Sequence, residues 1–165
     1  MNPQNGGELD GGQDPLLEDA APMTRLFVWS LRCWLDGAAG QQAVWAHYTA
    51  RLGGRAGARA MRAFEEHVEG LAHQCRRVLR RRRTGCVFVC EDELLMAHTV
   101  GAAAAGDLDG AYAAAARYVR ASAIPVAVTS AARLGAALAL IGDAPSETVP
   151  CGDPWRSAPM AGRLH

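Results

Sequence analysis

Cys86 and Cys90 flank the short apolar run Val87-Phe88-Val89, with His73 and Cys75 before it and His98 after it. Thiols and imidazoles at such density are the raw material of a zinc site or of thiol-redox chemistry. A tetrahedral zinc ion holds its thiolates near 2.3 Å, which brings two of them within roughly 4 Å of each other. The β-branched run favours an extended chain, and four steps at about 3.3 Å then separate Cys86 from Cys90 by roughly 13 Å. At that spacing the two can neither share an ion nor close a disulfide. His73 and Cys75 lie roughly 200° apart around an ideal helix and point to opposite sides. Cys75 is therefore expected in the core, with Cys86 and Cys90 packing or capping the connector, and no cofactor is expected. Glu91, Asp92 and Glu93 oppose thiolate formation at Cys90, which leaves Cys86 as the less compromised thiol. A metal or thiol site using Cys86, Cys90 and His98 is the alternative.

Two other groups could recognise a partner. Arg76, Arg77, Arg80, Arg81, Arg82 and Arg83 crowd one short stretch. Read as a helix end, they complement the macrodipole and stay solvated. Read functionally, their guanidinium forks could grip phosphates or an acidic partner. Trp29, Trp34 and Trp45 are core candidates by type. Trp29 and Trp34 are five residues apart and face different directions on a helix, so one of them is free to serve a docking surface.

The elements that must position these residues are helical. Leu26, Phe27, Trp29, Leu31, Trp34 and Leu35 mark a helix that stops at Asp36-Gly37, where glycine permits a left-handed cap. A second helix carries Val44, Trp45, Tyr48 and Leu52 and ends at Gly53-Gly54. Met61, Phe64, Val68, Leu71, Cys75 and Val78 recur at spacings of three and four, which predicts a long amphipathic helix running into the arginines and breaking at Thr84-Gly85. The stretch from Cys86 to Cys90 is expected as an extended connector without a partner strand. Glu91 to Glu93 favour a helix start, and the pattern runs to Gly106. Asp107 or Asp109 can cap the next helix, which carries Tyr112, Tyr118 and Val119. Pro125 suits the first turn of a last helix closed by Gly142. The expected fold is all-α, an irregular or orthogonal bundle of about six helices with disordered termini. Gly106-Asp107-Leu108 looks like one tetratricopeptide turn, but no second copy follows at a period of about 34 residues.

One helical domain, residues 23 to 142, is expected between an acidic tail, 1 to 22, and a Pro-rich tail, 143 to 165. The first tail holds Glu8, Asp10, Asp14, Glu18 and Asp19 and no basic residue, and Met23 directly after it is a second candidate start. The window from Ile124 to Gly142 is apolar but is interrupted by Pro125 and Arg133, so it reads as a core helix and no membrane association is expected. Alanine accounts for 33 residues and all 17 basic residues are arginine, a coding bias that suggests a bacterial genome. A formal charge of zero removes the global signature of a nucleic-acid binder. Five irregularly spaced cysteines after an acidic N-terminus without an apolar leader suggest reduced thiols in a cytoplasm.

The Arg-rich helix end, Cys-bearing connector, acidic helix start and Ala-rich last helix together resemble small all-helical bacterial proteins of unknown function. The resemblance spans about Arg25 to Ile141 and implies no activity. The expected function is a non-catalytic helical module that binds another protein. A Cys-centred metal or redox protein and a nucleic-acid accessory protein using Arg76 to Arg83 are the alternatives. Oligomeric state is left open.

Overall fold

Eight successive residues of the first helix, Leu26 to Cys33, are buried on every side. A helix that is hidden all round must be the axis of its fold rather than a surface helix. The computed structural model describes residues 14–145, and within them α1 (Pro22–Leu35) is that axis. Around it lie α2 (Ala38–Leu52), α3 (Gly54–Gln74), α4 (Glu91–Ala105), α5 (Leu108–Ala115) and α6 (Ile124–Ile141), the last entered through a 3-10 turn at Ala121–Ala123. α1 packs on α2, α4 and α6, and α3 and α4 each pack on α6. The expected all-α bundle of six helices is what forms.

Alanine and glycine let these helices approach closely. A Cβ on Gly40 would stand 1.9 Å from the carbonyl oxygen of Cys33, so the α1–α2 crossing requires glycine there. Gly135 plays the same part where α6 meets α4, with Ala104 and Val100 against it. The larger side chains, among them Phe27, Tyr48, Phe64, Leu134 and Leu138, fill the remaining interior with no exposure. Each such aliphatic or aromatic side chain contributes about 1.5–3 kcal/mol on burial. The segment from Ala121 to Ile141 is long and apolar enough by composition to cross a membrane. Here its inner face, including Val128, Ala131, Leu134 and Leu138, is part of the core.

Two expectations about the chain's course need correction. α3 ends at Gln74 rather than continuing to Thr84, and Val78 is not part of the apolar stripe but 91% exposed. Cys75 turns extended and forms an antiparallel bridge with Val119. The Arg76 amide donates to the Tyr118 carbonyl and the Arg120 amide to that of Gln74, both at 3.0 Å. Those bonds peel the chain off the helical path. α5 likewise ends at Ala115, because Tyr118 and Val119 belong to this bridge.

The connector also has a partner. The Leu17 amide donates to the Val87 carbonyl at 2.7 Å, and the Val89 amide to that of Pro15 at 2.9 Å. Leu16 and Phe88 thus form an isolated antiparallel bridge, and Leu17 packs against the core. The chain from Asp14 to Ala21, expected as the end of an acidic tail, is an integral part of the fold. The rest of that tail, 1 to 13, and 146 to 165 of the Pro-rich tail lie outside the described residues.

Candidate functional site

Arg32 is the one charged side chain of the buried stretch of α1, and its surroundings explain how it can be there. Its Nε donates to Glu93 Oε1 at 2.7 Å and one terminal nitrogen to Glu93 Oε2 at 2.8 Å. The same terminal nitrogen also donates to the Phe88 carbonyl at 2.7 Å, and the other donates to the Cys86 carbonyl at 2.6 Å. Along the connector, the Val87 carbonyl and Val89 amide bond the Pro15–Leu17 segment, whereas the Cys86 and Phe88 carbonyls bond Arg32. The guanidinium therefore stands where a second neighbouring strand would stand.

Glu93 is fully buried and also accepts the amides of Cys90 and Arg82, each at 3.0 Å. Burial pushes its pKa up, but the Arg32 guanidinium and these amides together hold it below the usual carboxylate range. Asp92 beside it receives two bonds from Arg77, at 2.8 and 2.5 Å, and one from the Arg80 amide at 2.7 Å. The Arg77 bonds hold the Asp92 carboxyl low as well. The acidic start of α4 is thus more than a match to the helix dipole. Its two carboxylates fasten the arginine segment and the connector to the helix.

This anchoring places the arginines on an irregular loop rather than a helix end. Arg77 pairs with Asp92, Arg81 with Asp36 and Arg82 with Asp14, while Arg76 donates to the Arg117 carbonyl. Arg76, Arg80 and Arg83 make no ion pair among the described residues. The loop arches over an apolar groove of about 550 Å³ between α1, α3 and α4. Leu31, Leu71 and Met96 form its buried floor, and Leu35, Val68 and Leu79 are more accessible on its sides. Arg76, Arg77, Arg80 and Arg81 line the same groove, and Val78 stands at its edge.

The thiols have different surroundings. Cys90 is buried at the start of α4, its Sγ 3.3 Å from the Arg80 carbonyl, and burial raises its pKa. Cys75 is half-buried beside the groove, and burial raises its pKa too. Cys86 is half-buried in a separate cavity of about 320 Å³ lined by Trp29, Arg25 and Asp143 among others. His98 is exposed on α4. Among the described residues no group of three or more His, Cys, Asp or Glu side chains could hold a metal ion.

The tryptophans do not share a surface either. Trp29 is buried with its ring edge-on to His47, Trp34 is half-buried edge-on to Phe64, and Trp45 is 45% exposed. The tryptophan left over for solvent is thus Trp45 of α2, not one of the α1 pair.

One further polar pair crosses the core. His67 Nδ1 lies 2.9 Å from Ser130 Oγ, whose hydroxyl donates to the Ala127 carbonyl. The imidazole and the hydroxyl are thus within hydrogen-bond distance, and the buried Nε2 has no partner among the described residues. The pair ties α3 to α6. No protein-family model matches the chain, and no curated protein or solved structure matches it.

Proposed function

We propose that this chain is a non-catalytic protein-interaction module of the cytoplasm, and that a partner docks on the groove beneath the Arg76 to Arg81 loop. The observation that carries the reading is Val78, an apolar side chain 91% exposed at the edge of an apolar groove whose floor is the protein's own core. A loop fastened by buried carboxylates holds it there, so its exposure is built rather than incidental. Fixed presentation of apolar groups lowers the ordering cost of binding.

The test is a photo-activated cross-linker installed at Val78 or Leu35 in the native host, with Leu108 of α5 as a control position. Cross-links to another protein from the first two positions and not from the third are the expected result. Equal yields from all three positions, or none, would remove the groove from consideration.

A further inference from the structure

We infer that the segment docking in this groove is an acidic amphipathic one, presenting leucine-like side chains to the floor and carboxylates to the arginine rim. The inference rests on the interaction reading above and goes further by fixing the partner's chemistry. The floor offers only apolar atoms from Leu31, Leu71 and Met96, so it accepts hydrocarbon and gives a phosphate or a base nothing to bond. The rim is cationic but unevenly neutralised. Arg77 and Arg81 are held by Asp92 and Asp36, whereas Arg76 and Arg80 face the same groove without an ion pair among the described residues. Guanidinium groups lining an apolar trough complement carboxylates that border an apolar stripe, the pattern of a helix laid in a groove. A basic amphipathic segment would meet like charge, and a polyanion without apolar side chains would leave the floor wet.

Fluorescence anisotropy with three labelled 15-residue peptides and the full-length protein tests this. One peptide carries leucines on one helical face flanked by glutamates, the second replaces the glutamates by lysines, and the third replaces the leucines by alanines. The first should bind, and the other two should bind at least tenfold more weakly. Arg76→Gln with Arg80→Gln should weaken the first peptide about three- to tenfold, as expected for two exposed charge pairs. Neither arginine holds an internal carboxylate, but Arg76 also donates to the Arg117 carbonyl, so Arg80→Gln alone, which removes no such bond, should weaken the first peptide at an unchanged thermal midpoint and thereby separate lost binding from lost stability. Leu35→Asp should abolish binding of the first peptide.

Equal binding of the glutamate and lysine peptides would overturn the inference. So would tighter binding of a labelled RNA oligonucleotide, which would make the loop a polyanion site. Tighter binding of a peptide of residues 1 to 13, which contains Glu8-Leu9-Asp10, would overturn it by making the chain its own occupant. If no peptide binds while the Val78 cross-links persist, the acidic class fails and the interaction reading stands. If the cross-links are absent as well, both fail.

Discussion

Arg32 and Glu93, sixty-one residues apart in sequence, meet in the core through two parallel hydrogen bonds, with side chains 2% and 0% exposed. A pair this deep is sustained only because its remaining bonding capacity is met, by two connector carbonyls on one side and two amides on the other. Removing one member leaves the other charged and unpaired. Arg32→Ala or Glu93→Ala should each lower stability by about 3 to 5 kcal/mol. Equilibrium urea unfolding measures this, and a loss below about 1 kcal/mol in both variants would show that the pair is not the fold's anchor.

Acid should weaken the protein through His67 before it reaches the carboxylates. Burial lowers the His67 pKa to about 4 from an ordinary value of 6.5. The unfolded chain therefore binds the proton that the folded chain refuses, and stability is complete above about pH 6.5 and lost as pH falls towards 4. A shift of that size corresponds to about 3 kcal/mol over the window. His67→Gln keeps a group able to hydrogen-bond Ser130 but cannot titrate. Its stability should vary less between pH 7 and pH 4.5 than that of the natural protein, and parallel curves would discard the assignment.

The helices were readable from sequence because their signals are local. Glycine at Gly37, Gly53, Gly106 and Gly142 adopts positive φ at helix ends, where the stops were expected, and Pro125 enters the first turn of α6. The end of α3 was not readable. Val78 continues the three-and-four spacing by accident, and what ends the helix is the bridge of Cys75 to Val119, forty-four residues further along the chain. The same holds for the site. Arg32 sits in an apolar stretch with no local feature to distinguish it from a solvated arginine, although a charge amid eight residues fated for burial implies a buried counter-charge. Glu93 looked like a helix-dipole residue, which it also is, and only its long-range partners show the rest. The groove depends on the loop's path and left no trace in periodicity.

Gly40 and Gly54 make a controlled comparison. Alanine at Gly40 would drive its Cβ into the Cys33 carbonyl at 1.9 Å and force α1 and α2 apart. Alanine at Gly54 meets nothing within 4 Å and stands at the first position of α3 without positive φ. Gly40→Ala should destabilise by about 1–3 kcal/mol, in the range of overpacking. Gly54→Ala should stabilise by about 0.4–1 kcal/mol through the unfolded chain. Thermal melts of the two variants check the signs, and the same sign in both would contradict the close α1–α2 crossing.

The thiols offer a way to see the packing directly. Cys33 is fully buried in α1 and Cys90 nearly so, whereas Cys75 and Cys86 are half-buried. Of these four, reagents that attack thiolates should therefore label Cys75 and Cys86 first, with Cys75 slowed because burial raises its pKa. Mass spectrometry of tryptic peptides resolves the sites. Labelling of Cys33 at the rate of Cys86 in the folded protein would mean that α1 is not the axis.

The six arginines of the loop should separate by partner rather than behave as one basic patch. Arg77 donates two hydrogen bonds to Asp92, a side chain only 5% exposed, whereas Arg83 makes no ion pair among the described residues. Replacing Arg77 by Gln leaves the Asp92 carboxylate with the Arg80 amide alone and loosens the hold of α4 on the loop. Arg77→Gln should lower the thermal midpoint and speed trypsin cleavage at Arg80, while Arg83→Gln should change neither. Asp92→Asn should reproduce the Arg77 effect and add little to it in the double variant, because both substitutions open the same contact. Additive losses would mean that the two residues stabilise the loop independently, and equal effects at Arg77 and Arg83 would return the whole run to the status of a solvated surface.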